Sequence, residues 1–214
     1  ALSELDGTAA KKELDEVGVL TLHLTSGDVV LAPDPTYPIH VYAPVLCGAD
    51  VRRIPVGPGR DFFEDLQIAM KQTWPKPKLL IISYPQNPTT EVVDLAFFER
   101  IVDFAKEHKI WVIHDMAYAD LCFDGYQAPS FLQARGAKDV GVEFYSMTKG
   151  YSMAGWRMGF CVGNKEIVHA LTRIKSYLDY GIFQPIQIAA TVGLNEGEEA
   201  VEKIMAMLIE RHII

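Results

Sequence analysis

The stretch that decides the fold is SMTKGYSMAGWRMG, which runs from Ser146 to Gly159. Apolar runs flank it at residues 140–145 and 160–162, and their length and composition predict two buried strands. Lys149 stands in the middle of this apolar, glycine-rich segment. Desolvation in such a segment disfavours the charged ammonium form, so we expect an accessible neutral amine, which is a nucleophile toward aldehydes.

An anion-binding group accompanies this lysine. Arg157 follows Lys149 by eight residues, and Ser146 precedes it by three. The planar guanidinium of an arginine matches a phosphate, and Gly155 and Gly159 leave room for the backbone to approach one. An amine nucleophile beside an anion-binding group suits an aldehyde that carries a phosphate. Pyridoxal 5'-phosphate (PLP) is such a molecule.

The composition is that of an ordinary globular protein. The chain has 214 residues, of which 49% are hydrophobic and 22% charged, and this is enough for one sizeable core. The formal net charge of -8 argues against a nucleic-acid groove. No apolar run approaches the roughly 18 residues that a membrane span needs, and the first residues lack the apolar core of a signal peptide. We therefore expect a cytoplasmic protein that binds neither membrane nor nucleic acid.

The cysteines and histidines do not indicate a metal site. The three cysteines, Cys47, Cys122 and Cys161, have no CxxC spacing and lie among apolar residues, so we expect reduced cysteines in an intracellular protein. The six histidines are scattered and contain no HExxH pair. The sequence predicts no structural metal.

Predicted strands and helices alternate along the chain. The strands are expected at residues 29–31, 50–56, 78–85, 110–113, 140–145 and 160–162. The helices are expected at residues 9–17, 39–46 with an interruption at Pro44, 62–70, 93–109 with Asp94 as N-cap, 166–177, 186–194 and 198–212. This alternation predicts an α/β fold, with three α/β/α layers and a mainly parallel sheet.

Several polar side chains follow these predicted strands directly: Tyr37, Asn87, Asp115 and Lys149. Ligands of parallel sheets bind outside the carboxyl ends of the strands, so we expect these four side chains to share one site. A buried carboxylate such as Asp115 needs a positively charged partner, and a protonated pyridine nitrogen is one. Each residue also has a plainer interpretation: a packed tyrosine, a turn asparagine, and a helix cap or metal ligand for the His-Asp pair. Asp120 is expected to face solvent or cap a helix.

The motifs together resemble one known family. Ser-x-x-Lys followed by Gly-x-Arg-x-Gly is accompanied by SYPQNPT from Ser83, HDMAY from His114 and APDPTYP from Ala32. In this order they resemble the class I/II aminotransferases, a PLP-dependent family of fold type I. Within it, the likeness is to the branch of the alanine (glutamate–pyruvate) and LL-diaminopimelate aminotransferases. The resemblance covers residues 26–214.

This resemblance implies roles for two catalytic residues. Lys149 is expected to form a Schiff base with PLP, to be displaced by the amino-acid substrate, and then to move a proton as a general base. Asp115 is expected to keep the ring nitrogen of the cofactor protonated. The implied reaction is transamination between an amino acid, alanine or a similar one, and a 2-oxo acid such as 2-oxoglutarate.

The resemblance also implies five further cofactor contacts. Tyr37 is expected to stack on the cofactor ring, Asn87 and Tyr118 to contact its phenolic oxygen, and Ser146 and Arg157 to hold its phosphate. The family forms homodimers, and residues 179–185 are expected near the dimer interface.

The chain departs from the family at its ends. The family's Gly-Ser-Lys-Glu-Gly phosphate turn is expected near residues 11–15, which read KKELD instead. We therefore divide the chain into an atypical N-terminal segment (1–25), a PLP-binding large domain (26–195) and a helix leading to a missing small domain (196–214). That small domain carries the arginine that binds the substrate carboxylate.

Three alternatives stay open at this point. The chain is either an active aminotransferase, a truncated or degenerate PLP-binding domain, or a PLP enzyme for another reaction, such as a lyase. A Ser-x-x-Lys acyl enzyme also needs Ser-Asp-Asn and Lys-Thr-Gly motifs, and the sequence contains neither. The nucleotide-binding patterns GxGxxG and GxxxxGK[ST] are absent as well.

Overall fold

A single six-stranded sheet, with mainly apolar strands at its centre, is the framework of a computed structural model that describes residues 24–211. The order across the sheet is β2-β1-β3-β4-β5-β6, and every neighbouring pair is parallel except β5 and β6. The strands are β1 (Val29–Asp34), β2 (Asp50–Pro55), β3 (Leu79–Ser83), β4 (Trp111–Met116), β5 (Gly141–Ser146) and β6 (Gly159–Gly163).

Residues 24–211 contain seven α-helices, of which four lie between strands and three follow β6. They are α1 (Ile39–Leu46), α2 (Phe62–Gln72), α3 (Leu95–His108), α4 (Ala137–Val140), α5 (Lys165–Leu178), α6 (Gln184–Glu196) and α7 (Glu198–Glu210). The Asp94 carboxylate accepts a hydrogen bond from the Phe97 backbone N–H at 2.9 Å, so the predicted N-cap of α3 is confirmed. None of the helices between residues 24 and 211 has the length and apolar character that a membrane crossing requires.

The core has two halves, one on each face of the sheet, because successive strand residues point to opposite faces. In β3, Leu80 and Ile82 pack on the face covered by α2 and α3. Leu79 and Ile81 pack on the opposite face, together with residues of α1 and α5. The predicted three-layer α/β/α fold with a mainly parallel sheet is confirmed.

Two local predictions need correction. Strand β4 continues through Asp115, which pairs in register with Ser83 of β3 and Phe144 of β5, so Asp115 lies inside the strand rather than after it. Helix α1 is not interrupted at Pro44. Pro44 lies in the last turn, where the missing proline N–H removes a single backbone hydrogen bond. The helix predicted at residues 9–17 and the place of the expected phosphate turn lie outside the described residues.

A largely buried polar network links three strands of the sheet close to their carboxyl ends. The Tyr84 backbone N–H donates to His114 Nε2 at 3.2 Å, so the His114 proton lies on Nδ1 and is donated to Glu143 at 2.9 Å. The Glu143 carboxylate also accepts hydrogen bonds from the Ser130 hydroxyl and the Phe131 N–H, both at 2.7 Å. The network ties β3, β4 and β5 together close to their carboxyl ends.

We predict that Glu143→Ala lowers the free energy of unfolding by about 3 kcal/mol. The change leaves two buried donors, His114 Nδ1 and the Phe131 N–H, without an acceptor, and each unsatisfied buried group costs about 1–3 kcal/mol. Urea denaturation followed by circular dichroism measures the loss. Glu99→Ala, on the exposed side of α3, is the control and should shift stability by less than about 0.5 kcal/mol. Equal effects of the two changes would contradict the role of the network.

Candidate active site

A cavity of about 220 Å³ lies at the carboxyl ends of the strands. It is lined by all seven side chains that the sequence predicts for the site: Tyr37, Asn87, Asp115, Tyr118, Ser146, Lys149 and Arg157. Strands β1, β3, β4 and β5 are parallel neighbours, so the segments that follow them meet at one edge of the sheet. The sheet thus brings together residues that are far apart in the sequence.

Asp115 is the buried charge of the cavity. Only 2% of the residue is exposed, and its Oδ2 lies 3.1 Å from His40 Nε2. His40 Nδ1 in turn lies 2.8 Å from the Thr36 hydroxyl. A carboxylate only accepts, so Nε2 carries the proton that points at Asp115, and Nδ1 shares a hydrogen bond with the Thr36 hydroxyl. This chain of hydrogen bonds fixes the carboxylate in place.

Sequence analysis missed His40. It stands three residues after Tyr37, in the first turn of α1, and its partner Asp115 is 75 residues away. Its spacing from Tyr37 was the available signal, because the first turn of a helix that follows a strand faces the same sheet edge as the strand end. The Tyr37 and His40 rings meet edge to face, with centroids 5.8 Å apart.

Asn87 and Tyr118 converge on one point. The Asn87 Nδ2 donates to the Tyr118 hydroxyl at 3.2 Å. Lys149 Nζ lies 5.6 Å from the centre of the Tyr118 ring, on the same side of the cavity. Three polar groups from the segments after β3, β4 and β5 therefore approach each other.

The opposite part of the lining has the features of an anion site. Ser146 is buried at the end of β5, and its Oγ accepts from the Thr148 backbone N–H at 3.2 Å. Arg157 follows the 3-10 turn Ala154–Trp156, adopts a left-handed backbone conformation, and donates to the Ala154 carbonyl at 3.2 Å. Thr148, which sequence analysis did not select, lines the cavity beside them.

The expected desolvation of Lys149 is wrong. The side chain is exposed, whereas Met147 and Gly150 of the same turn are buried. The apolar neighbours in the sequence point into the core, and the lysine points into a cavity that opens to solvent. The turn fixes the backbone of Lys149 and leaves its amine accessible.

This donor set fits PLP. The cofactor has an aldehyde for an amine, a phosphate for a guanidinium and hydroxyls, a ring nitrogen for a carboxylate and a flat face for an aromatic ring. Lys149, Arg157, Ser146, Asp115 and Tyr37 supply these groups in one cavity. Within residues 24–211 there is no cluster of three or more side chains of the kinds that bind metal.

Comparison with known proteins agrees with this chemistry. The family model for aminotransferase class I and II matches residues 9–213. The chain belongs to the class I and II aminotransferases. This family depends on PLP.

The relatives within the aminotransferase family indicate the branch to which the chain is similar. It is 51% identical to the glutamate-pyruvate aminotransferase AlaC of Escherichia coli over 85% of this chain and 44% of that protein. It is 45% identical to an LL-diaminopimelate aminotransferase of Desulforudis audaxviator over 86% of this chain and 47% of that protein. The chain thus spans about half the length of these relatives. The predicted resemblance to this branch is confirmed.

A solved structure gives the same picture of this aminotransferase fold. A probable N-succinyldiaminopimelate aminotransferase from Thermus thermophilus superposes with a TM-score of 0.85 and 30% identity. The superposition covers 93% of this chain and 53% of that one.

A second, mainly apolar cavity of about 650 Å³ adjoins the first at Asn87 and Tyr118. Cys122 lines it, and its sulfur lies 3.2 Å from the Ala119 carbonyl. Burial raises the pKa of the Cys122 thiol, and the charge of Asp120 raises it further. At neutral pH this aminotransferase chain therefore holds Cys122 as a thiol.

We predict that iodoacetamide modifies Cys122 more slowly in the folded chain than in the urea-unfolded chain at pH 8. Only the thiolate reacts, and a raised pKa leaves less thiolate at a given pH. The rate should rise with pH to a midpoint above the ordinary value of about 8.5. Peptide mass spectrometry measures the rate at this one cysteine in both states. Equal rates at pH 8 would contradict the prediction.

Proposed function

We propose that this chain is the cofactor-binding part of a PLP-dependent aminotransferase. It would transfer an amino group between an amino acid, alanine or a similar one, and a 2-oxo acid such as 2-oxoglutarate. The observation that supports this most is one cavity that combines an accessible lysine, a buried carboxylate and an arginine. The name of the relative AlaC, a glutamate-pyruvate aminotransferase, supports the choice of substrates.

Lys149 has two tasks in this proposal. Its Nζ would hold the cofactor through the aldehyde group, and as a free amine it would take a proton from the substrate and return it. When bound, PLP supplies the electron sink that makes this proton acidic. The exposed position of Lys149 suits the second task, because a free side chain on a fixed backbone can move between two atoms.

Asp115 holds the proton on the ring nitrogen. At a separation of about 3 Å and an effective dielectric constant of about 20, such a charge pair gains roughly 5 kcal/mol before desolvation is counted. His40 and Thr36 keep the carboxylate oriented through the hydrogen bonds at 3.1 and 2.8 Å. His40 thus acts through Asp115 and is a positioning residue.

The remaining side chains orient the cofactor. The contact between Asn87 and Tyr118 supports a shared role at the phenolic oxygen, since one small acceptor would lie within reach of both groups. Tyr37 lies across the cavity mouth from the strand ends and provides the stacking face, worth about 1 kcal/mol beyond burial.

Ser146 and Arg157 would bind the phosphate group of the cofactor, and Thr148 lines the cavity beside them. Arg157 offers a rigid pair of N–H donors, and the hydroxyls complete the set.

We also propose the domain division given by the sequence. Residues 26–195 form the cofactor domain, residues 196–214 lead into a further domain, and residues 1–25 precede the large domain. The proposal includes a cytoplasmic location, on the basis of reduced cysteines. The alternatives are a PLP-binding chain without activity and another PLP reaction such as a lyase. The first is favoured by the match to only about half of each relative.

A homodimer is part of the proposal. The last turn of α5 and the segment that joins it to α6 carry three aromatic side chains that are 77%, 92% and 72% exposed, namely Tyr177, Tyr180 and Phe183. An apolar group of this size on a surface marks an interface, and a second copy of the chain is the occupant we propose.

We predict that PLP forms an adduct on Lys149. After borohydride reduction, the modified residue should be Lys149 by peptide mapping, and Lys149→Ala should abolish both the adduct and the amino transfer from L-alanine to 2-oxoglutarate. Lys71→Ala, on the exposed side of α2, is the control and should change neither. Arg157→Ala should weaken PLP binding about 30-fold, which corresponds to about 2 kcal/mol for breaking a charge pair.

The outcomes separate the alternatives. An adduct on Lys149 without amino transfer would overturn the transaminase proposal and leave a PLP-binding chain. An adduct that persists in Lys149→Ala would overturn the assignment of the nucleophile.

We predict that the chain sediments as a dimer and that Phe183→Asp converts it to a monomer. A buried aspartate at an apolar interface has no partner, and its desolvation opposes association. Trp74→Asp replaces an aromatic residue that is equally exposed but lies before β3, and it should leave the dimer intact. Analytical ultracentrifugation distinguishes the two states. A monomeric parent chain would refute the proposal.

A further inference from the structure

Two turns of similar form follow the neighbouring strands β4 and β5. The Tyr118 turn comprises residues 117–120 and ends at Asp120, and the Lys149 turn comprises residues 147–150 and ends at Gly150. We propose that Asp120, together with Tyr145 and Tyr151, is a positioning group that fixes the Lys149 turn against the Tyr118 turn. The inference rests on the proposed function of Lys149 and deepens it.

Asp120 and Gly150 touch directly. A Cβ built on Gly150 would lie 2.7 Å from the Asp120 Cβ and closer still to its carboxylate, and the three nearest atoms to it all belong to Asp120. Gly150 does not have a positive φ, so its backbone accepts any residue. A glycine is needed there because of this contact. The backbone next to Lys149 therefore rests on the Asp120 side chain.

A hydrogen bond holds Asp120 in that place. The Tyr145 hydroxyl donates to Asp120 Oδ2, and the Tyr151 hydroxyl lies near enough to Asp120 and Tyr145 for their charges and dipoles to affect its pKa. The Tyr145 ring is itself stacked on Phe160 of β6, with centroids 4.9 Å apart and planes 20° apart. The expectation that Asp120 faces solvent or caps a helix is therefore wrong.

Both tyrosines are donors at neutral pH. Burial raises the pKa of the Tyr145 hydroxyl, and the hydrogen bond to Asp120 raises it further. Burial and the charge of Asp120 also raise the pKa of Tyr151. Hydrogen bonds between a hydroxyl and a carboxylate are among the stronger ones in proteins, so the cluster is a firm support.

Helix α6 holds the turn from its other side. A Cβ on Gly193 would lie 3.2 Å from the Met147 Cε and 3.6 Å from the Tyr151 Cδ1. Tyr151 also approaches Gly197, where a Cβ would lie 3.1 Å from its Cε1. Met147 and Tyr151 flank Lys149 in the sequence. The lysine backbone is thus clamped between Asp120 and α6, while its side chain stays free.

A fixed backbone at Lys149 is important because its amine has to form a bond. The reacting atoms have to meet within a narrow range of distance and angle, and a displacement of about 1 Å can slow a reaction about 100-fold. The side chain of Lys149 is exposed, and its Nζ lies 5.6 Å from the centre of the Tyr118 ring, so the placement of the Lys149 Cα strongly affects where the amine reaches. The cluster acts on the reaction only through that backbone.

The test separates positioning of Lys149 from cofactor binding in general. Tyr145→Phe keeps the ring stack and removes only the hydroxyl. We expect this variant to slow the borohydride-trapped capture of PLP on Lys149 about tenfold. In a Lys149→Ala background, where capture is impossible, Tyr145→Phe should change the dissociation constant of PLP less than about twofold. Equilibrium dialysis measures that constant.

The control is Tyr126→Phe. The Tyr126 hydroxyl donates to the Val93 carbonyl at 2.7 Å, so this variant also loses one hydrogen bond, but outside the cluster. Its capture rate should equal that of the parent chain. Tyr151→Phe serves in place of Tyr145→Phe if the latter melts below the assay temperature.

A double-mutant cycle tests the contact between Gly150 and Asp120. Gly150→Ala should slow capture at least tenfold, and the same change in an Asp120→Ala background should slow it much less, because the obstructing side chain is gone. Additive effects would overturn the contact.

The outcomes are distinct from those of the main proposal. A parent chain that captures no PLP on Lys149 would refute the proposed function. Normal capture by the parent, with unchanged capture in Tyr145→Phe, would refute only the positioning role. Equal losses of capture and of affinity in the Lys149→Ala background would also refute it, because the cluster would then support the whole cavity.

Discussion

The parallel register of β3, β4 and β5 is the constraint on which the site depends. Ser83, Asp115 and Phe144 lie opposite one another across these strands. The strands are buried on both faces, and a shift of one residue would turn every apolar side chain to the other face. The core therefore sets the register. The register in turn delivers the strand ends, with Asp115 and Ser146, to one cavity.

Buried charge is tolerated at this edge because each face of the sheet satisfies its own polar groups. His114 and Asp115 are neighbours in β4 and point to opposite faces. His114 meets Glu143 on one face at 2.9 Å, and Asp115 meets His40 on the other at 3.1 Å. Both interactions lie within hydrogen-bond distance and involve side chains that are almost completely buried. The network around His114 and Glu143 links the strands. The pair of His40 and Asp115 holds a carboxylate in a position where it can bind a cation.

The sequence predicts the fold class and the cavity lining because both depend on local pattern. Apolar runs place the strands, and Asn87, Tyr118 and Lys149 follow strand ends where the topology brings them together. Contacts between residues that are far apart in the sequence do not have a local signature, so His40 was missed and Asp120 was assigned to solvent or a helix cap. The exposure of Lys149 was also mispredicted, since its apolar neighbours in the sequence are not its neighbours in space.

The charges around the cavity limit how transamination can proceed. A bound cofactor brings a phosphate, and an amino acid brings a carboxylate, so two anions have to be held. Among the described residues that line the cavity, only Arg157 and Lys149 carry a permanent positive charge. The lysine is occupied by the chemistry, and Arg157 suffices for one anion. A carboxylate left without a cation would bind weakly in a partly dry site. Under the proposed function, transamination therefore requires a second cation, and that cation has to come from outside this lining.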